Sequence, residues 1–318
     1  MEKLTDIVYG PVPSRRLGRS LGVNNIPPKI CSYSCVYCQL GKTTDLSVKR
    51  EEYYKPDQIL KAVEQKLKEL DKNNQMVDYL SFVPDGEPTL DINLGKTLRL
   101  LKKFNLPTAV ITNSSLLRKD EVRDDLYEAD LVSCKIDSVA EPVWRKINRP
   151  PRFLDIDKIL DGLKIFSDNF KGKLITETML VENINDDLDQ IEKNAVFLSD
   201  LTLPTAYISI PTRPPADPGI KPPDEQKIAA IYTVYAQKIN RVELLIGYEG
   251  DDFSSTGDVR KDLLSITAVH PMREDAVEKL LMNNGASWTE VDKLVERNQL
   301  VKINYNQNYY YLRKIKIN

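Results

Sequence analysis

Three cysteines fall within one short run, Cys31-Ser32-Tyr33-Ser34-Cys35-Val36-Tyr37-Cys38, and the fourth, Cys134, stands far along the chain. A tight Cys cluster in a chain with so few cysteines points to metal or redox chemistry rather than to a disulfide framework. Three thiolates at this spacing can cap three corners of a four-iron cubane. Clusters that only carry electrons commonly take four thiolates. Here one iron would lack a protein ligand, and an open coordination position is where a small molecule can bind, as it does at catalytic zinc. A chelating amino-carboxylate suits that corner. The competing metal is zinc, with Cys134 or His270 as fourth ligand. Zinc sites are usually built from paired C-x2-C units, and only Cys35–Cys38 has that spacing.

The surrounding pattern alternates strand and helix. Strands are predicted over residues 21–24, 79–83, 108–112, 131–136, 174–180, 207–210 and 241–246, each a short apolar run. Helices are predicted over 56–70, 94–104, 119–129, 156–166, 188–198 and 225–238. In the first of these Ile59, Leu60, Val63, Leu67 and Leu70 recur at helical spacing, with Pro56 near the start. Parallel strands need crossover helices, so this order predicts a parallel sheet. Six or seven βα units fit a partial or full barrel, with chemistry at the C-terminal ends of the strands. The tail breaks the alternation after His270-Pro271. Helices over 274–283 and 289–296 are followed by a hairpin around 304–308, the order of a small winged-helix-like module. Gly285 suits a helix stop, and Ser287 with Glu290 suits a capped start. The expected domains are residues 1–252 and 253–318.

Formal net charge is −2, which weighs against a partner held mainly through phosphates, although Ser14-Arg15-Arg16-Leu17-Gly18-Arg19 is a local basic patch. No apolar run approaches the ~18–20 residues of a membrane helix. The first ten residues lack the apolar stretch of a secretion signal, so the expected compartment is the cytoplasm.

The Cys run, with Tyr37 just before the last cysteine, resembles the radical S-adenosylmethionine superfamily. The residues from Tyr9-Gly10-Pro11 through Arg15-Arg16-Leu17-Gly18-Arg19 to Gly22-Val23-Asn24, and Cys38-Gln39-Leu40-Gly41 after the loop, resemble one branch of it. That branch holds relatives of the tRNA 4-demethylwyosine synthase and many iron–sulfur oxidoreductases. The resemblance implies a partial (β/α)6 TIM-like barrel, a [4Fe–4S] cluster on Cys31, Cys35 and Cys38, and S-adenosylmethionine on the open iron. It also implies reductive cleavage to a 5′-deoxyadenosyl radical and an electron donor such as flavodoxin or ferredoxin. The wyosine-forming enzymes carry a second cluster on three further cysteines ahead of the main motif. This chain has no cysteine before Cys31, so that activity is not expected of it.

The same resemblance implies the cofactor contacts. Asp85-Gly86-Glu87-Pro88 resembles the family's Gly-Gly-Glu motif: Gly86 lets the backbone approach the ligand, and Glu87 can accept from the methionine ammonium. The alternative is an ordinary strand-to-loop turn. Asn113 either reaches the cofactor or satisfies its own turn. Lys135 and Asp137 lie on one strand face, with Asp137 suited to ribose hydroxyls and Lys135 to a carboxylate or substrate anion, or else they form an exposed ion pair. Alternation turns Cys134 away from both, as a buried thiol. Thr176, Glu177 and Thr178 alternate in the following strand, where one face could contact cofactor, although ordinary strand polarity is the stronger account. Arg213, in a proline-rich loop, and Arg145 to Arg149 are candidate anion sites or solvated basic loops.

Two further readings remain open. One is an electron carrier with no chemistry of its own. The other is a nucleic-acid binder or RNA-modifying enzyme, with Tyr305, Tyr309, Tyr310 and Tyr311 stacking on bases. Glu290, Asp292 and Glu296 would repel phosphates, and strand packing is the simpler account of the tyrosines. Substrate and net reaction are not legible.

Overall fold

A computed structural model describes residues 7–202, 205–246, 253 and 256–314. The chain opens with an antiparallel pair, β1 (Val8–Ser14) and β2 (Gly18–Val23). Two short strands, β3 (Ile30–Cys31) and β4 (Asp45–Leu46), then frame the cysteine loop. Alternation follows: α1 (Pro56–Lys72), β5 (Tyr79–Phe82), α2 (Leu94–Leu101), β6 (Thr108–Thr112), α3 (Asp120–Leu126) and β7 (Leu131–Lys135). Two helices, α4 (Glu141–Asn148) and α5 (Ile156–Asn169), lead to β8 (Lys173–Met179). Then come α6 (Leu188–Ser199), β9 (Thr205–Ser209), α7 (Glu225–Ala236) and β10 (Val242–Leu245).

The main sheet runs β1-β2-β5-β6-β7-β8-β9-β10, parallel throughout except for β1. Six βα units and a seventh parallel strand make a partial TIM-like barrel, as the alternation predicts. Among the described residues β1 and β10 are not paired, so the barrel stays open. Helix α1 shows how the layers are held. Ile59, Ala62, Val63 and Leu70 are buried on one stripe, the period that lets a helix cover a sheet. Inside the barrel the turn between β1 and β2 acts as a plug. Leu17 packs with Ala109, Leu131, Ile175, Tyr207 and Leu245 in one apolar layer.

The tail contains α8 (Val259–Thr267), β11 (Met272–Arg273), α9 (Glu274–Asn283), α10 (Thr289–Glu296), β12 (Leu300–Tyr305) and β13 (Asn308–Arg313). Its three strands form an antiparallel sheet, β11-β13-β12. The hairpin turn is Asn306-Gln307, both at positive φ (48° and 61°), tighter than the sequence predicts. Gly285 ends α9 at φ +60°, as expected. The Ser287 cap is not formed: Trp288 is the N-cap residue of α10 and no side chain caps it, while Glu290 N donates to the Ser287 carbonyl. Helix α8 was not predicted; its short stretch carries Arg260, Lys261 and Asp262 among its few apolar residues. The expected boundary at residue 252 lies outside the described residues. The tail shares its core with the barrel, since Tyr9 and Val12 of β1 join Phe253, Leu263, Ile266 and Met272 in one buried cluster.

Candidate active site

The cysteine loop is clipped in place at two sides. On one side β3 lies against the end of β5, where Lys29 N donates to Asp85 O at 2.6 Å and Glu87 N to Ile30 O at 3.1 Å. Gly86 is bridged directly to Ile30, and a Cβ on Gly86 would collide with the Ile30 carbonyl oxygen. The glycine is therefore required by the approach of the cysteine loop itself. Lys29 Nζ adds an ion pair to Asp85 at 3.0 Å. On the other side the loop docks on the C-terminus of α4. Ser34 N donates to Asn148 O at 3.0 Å and Val36 N to Ile147 O at 2.9 Å, using carbonyls that a helix end leaves unpaired. Trp144 Nε1 donates to Tyr33 Oη at 3.1 Å and fixes the ring.

All three loop cysteines are half-buried and line one cavity of about 310 Å³ at the C-terminal mouth of the barrel. Burial pushes the Cys35 thiol up to about 12, helped by the charge of Asp137. Burial and then Glu87 raise Cys31, and burial raises Cys38. Thiols in such a place ionise when a metal takes the charge. Two amides already point at the sulfurs: Asn113 Nδ2 lies 3.5 Å from Cys31 Sγ and Asn148 Nδ2 lies 3.3 Å from Cys35 Sγ. Such donors suit thiolate ligands. Among the described residues no three His, Cys, Asp or Glu side chains converge to hold a single ion. A cubane asks for no such convergence, because its thiolates cap different irons. Cys134 is fully buried, with its thiol pushed up to about 12 by burial.

Glu87 is 1% exposed and lines the cavity. Its Oε1 accepts from Thr89 N at 3.1 Å and from the Thr89 and Thr112 hydroxyls at 2.6 Å, while Oε2 accepts from Asn113 N at 2.7 Å. Burial raises its pKa despite these bonds. Asn113 satisfies its own turn, its Oδ1 accepting from Ser115 N at 3.0 Å, while its Nδ2 donates to Ser32 Oγ at 2.9 Å and lies toward Cys31 Sγ in the cysteine loop. Lys135 lines the cavity and sits 5.0 Å above the Tyr37 ring. Its partner is Glu177, at 3.2 Å, rather than Asp137. Burial opposes its charge, yet Glu177 and Asp137 raise its pKa.

Asp137 does not line the cavity. One oxygen accepts from Tyr37 Oη and from Asn148 Nδ2, and the other from Met179 N at 2.9 Å. The strand ends at Lys135, and the next two residues turn the carboxylate beneath Tyr37. Tyr37 itself lines the cavity and is held by that bond.

Several residues in or against the site were not predicted for it. Arg16, from the plug, pairs with Glu177 across the lumen, and Ser209 donates to the same carboxylate at 2.9 Å. Burial alone would raise Glu177, but Arg16 and Lys135 hold it well below the usual carboxylate range. Arg16 was visible only as part of a basic patch. Asn148 was visible only inside the run 145–149, read as a loop. That run is instead the last turn of α4, where Val143, Trp144 and Ile147 give helical spacing after Pro142. Arg145 is consequently turned to Glu141 at 2.8 Å and Leu154 O at 2.9 Å, away from the cavity, so it is no anion site there. Arg213 does line the cavity, with Gln39 Oε1 at 2.8 Å and His270 Nε2 at 3.0 Å. His270 lines it too, so the tail contributes to the wall. Tyr305 and Tyr310 donate to Pro211 O and Thr212 O at 3.2 and 2.9 Å, seating the tail on the Arg213 loop.

The sequence model of the Radical SAM superfamily matches residues 25–194. A UPF0026 protein of Methanocaldococcus jannaschii is 47% identical over 98% of this chain and 97% of its own length. A UPF0026 protein of Synechocystis is 37% identical over 65% of this chain and 76% of its own. Among solved structures, a radical SAM methyltransferase from Sphaerobacter thermophilus is alike in fold, with TM-score 0.56 and 14% identity over 71% of this chain and 66% of that one.

Proposed function

The chain belongs to the Radical SAM superfamily, and from that premise we propose that Cys31, Cys35 and Cys38 hold its [4Fe–4S] cluster, with S-adenosylmethionine and substrate in the cavity they line. When bound, the cluster supplies the electron that cleaves S-adenosylmethionine to methionine and a 5′-deoxyadenosyl radical. The observation that carries the reading is one loop presenting three thiols to a cavity at the mouth of a parallel barrel. Three sulfurs leave one iron for the cofactor.

The protein groups then have separate duties. Gly86 admits the cysteine loop, and Glu87 would accept from the cofactor's amino group. Asn113 and Asn148 would donate to the thiolates once the cluster is bound. Tyr37, locked by Asp137, forms one wall with Lys135 above its ring. The tail completes the wall with His270, and the barrel plug with Leu17 closes the lumen opposite the mouth, which keeps water from a radical.

We place the chain beside the wyosine-related branch on the residues preceding and following the cysteine loop, and propose no wyosine-forming activity. We read residues 253–318 as winged-helix-like; the order α9, α10, β12, β13 supports that. The electron donor is a low-potential protein such as flavodoxin or ferredoxin, and the compartment is the reducing cytoplasm. No helix among the described residues is long and apolar enough to cross a membrane.

The test is anaerobic reconstitution followed by dithionite and S-adenosylmethionine. The wild type is expected to carry about four irons and release 5′-deoxyadenosine. Cys35→Ala is expected to lose both. A Cys35→Ala protein that kept its iron and its product would sink the ligand assignment. A cluster that forms yet cleaves nothing would leave an electron carrier.

A further inference from the structure

Asn148 is the last residue of α4, and its side chain is buried between two acidic groups of the site. Its Nδ2 lies 3.3 Å from Cys35 Sγ and 2.6 Å from Asp137 Oδ2. A carboxylate only accepts hydrogen bonds, so the nitrogen end of the amide must face it. That nitrogen carries two N–H bonds, enough for these two nearer neighbours, with Tyr37 Oη farther off at 3.5 Å. Tyr37 Oη is the other donor to the same Asp137 oxygen.

We infer that Asn148 is a positioning residue that sets the reduction potential of the cluster, by donating to the Cys35 thiolate and standing between it and the Asp137 carboxylate. The inference rests on the cluster assignment above. Reduction adds one negative charge to a centre already bound by thiolates. Hydrogen bonds to the sulfurs favour the reduced state, and a nearby carboxylate opposes it. Both effects are felt here because the Asn148 and Asp137 side chains are buried, where solvent screens them little. Asn148 acts on both at once. No residue nearby in sequence can do so, because Cys35 and Asp137 are brought together only where α4 meets the cysteine loop. The backbone bonds from Ser34 and Val36 to the end of α4 hold the amide at this distance.

The experiment is a dye-mediated redox titration of the full-length reconstituted protein, followed by the spectrum of the reduced cluster. Asn148→Leu keeps the shape and removes the donor. It is expected to shift the reduction equilibrium tenfold toward the oxidised form, about 59 mV for one electron. Asp137→Asn keeps an amide-sized group and removes the anion, and is expected to shift the potential upward. Iron content and 5′-deoxyadenosine release are read alongside. If the wild type carries its cluster and cleaves the cofactor while Asn148→Leu titrates at the wild-type potential, the inference fails and the enzyme assignment stands. A wild type without a cluster overturns both. Should Asn148→Leu not retain its cluster, Asp137→Asn decides: an unchanged or lowered potential overturns the inference.

Discussion

Gly86→Ala tests whether the cysteine loop is set by backbone contact. The glycine is not at positive φ, so alanine can adopt its backbone and the effect is one of space. The added methyl group would collide with the Ile30 carbonyl oxygen and lie 2.7 Å from Ile26 Cδ1. Neither the strand beneath nor the loop above can yield cheaply. Squeezing the contact costs about 1–3 kcal/mol, as in overpacked cores. Moving the loop away breaks the Lys29–Asp85 and Glu87–Ile30 backbone hydrogen bonds, at about 1 kcal/mol each. Either route predicts a loss of about 1–3 kcal/mol in urea unfolding of the metal-free chain. Because Cys31 follows Ile30 directly, iron uptake on reconstitution is expected to fall as well. Gly219→Ala is the comparison: its Cβ meets nothing within 4 Å, but its φ is +86°, so it costs backbone strain of about 1–2 kcal/mol and leaves iron uptake alone. A Gly86→Ala protein with the wild-type urea midpoint and full iron would refute the argument.

Leu17→Ala, which empties the barrel plug, is expected to cost about 2–5 kcal/mol in urea unfolding; a loss under about 1 kcal/mol would mean the lumen layer is not packed as described. Asp91 is fully buried, and burial pushes its carboxyl up to about 7 despite bonds from Asn93 N and Asn25. The native state therefore binds this proton more tightly than the unfolded chain, so the stability it allows is greatest below about pH 4 and is lost as pH rises toward 7. The full effect is at most about 4 kcal/mol. Unfolding titrations of wild type and Asp91→Asn across that window are expected to differ in slope, with the flatter curve in the variant; parallel curves would remove Asp91 as the cause.

The residues themselves determined what is local. The apolar run of β6, whose predicted bounds coincide with those observed, and the helical stripe of α1 are patterns that neighbouring residues carry. The three candidate ligands were legible for the same reason, since one loop holds them all. Strand β1 and helices α4 and α8, like the two-residue strands β3, β4 and β11, were missed because they are short or broken by prolines and charges, so their period spans too few residues to stand out. Only the tertiary structure decided what surrounds the sulfurs. Asn148 reaches Cys35, Arg16 reaches Glu177 and His270 reaches Arg213 across long stretches of chain. A side chain's hydrogen bonds and its pKa depend on which groups share its space, and a partner far along the chain leaves no periodic mark on the sequence beside it.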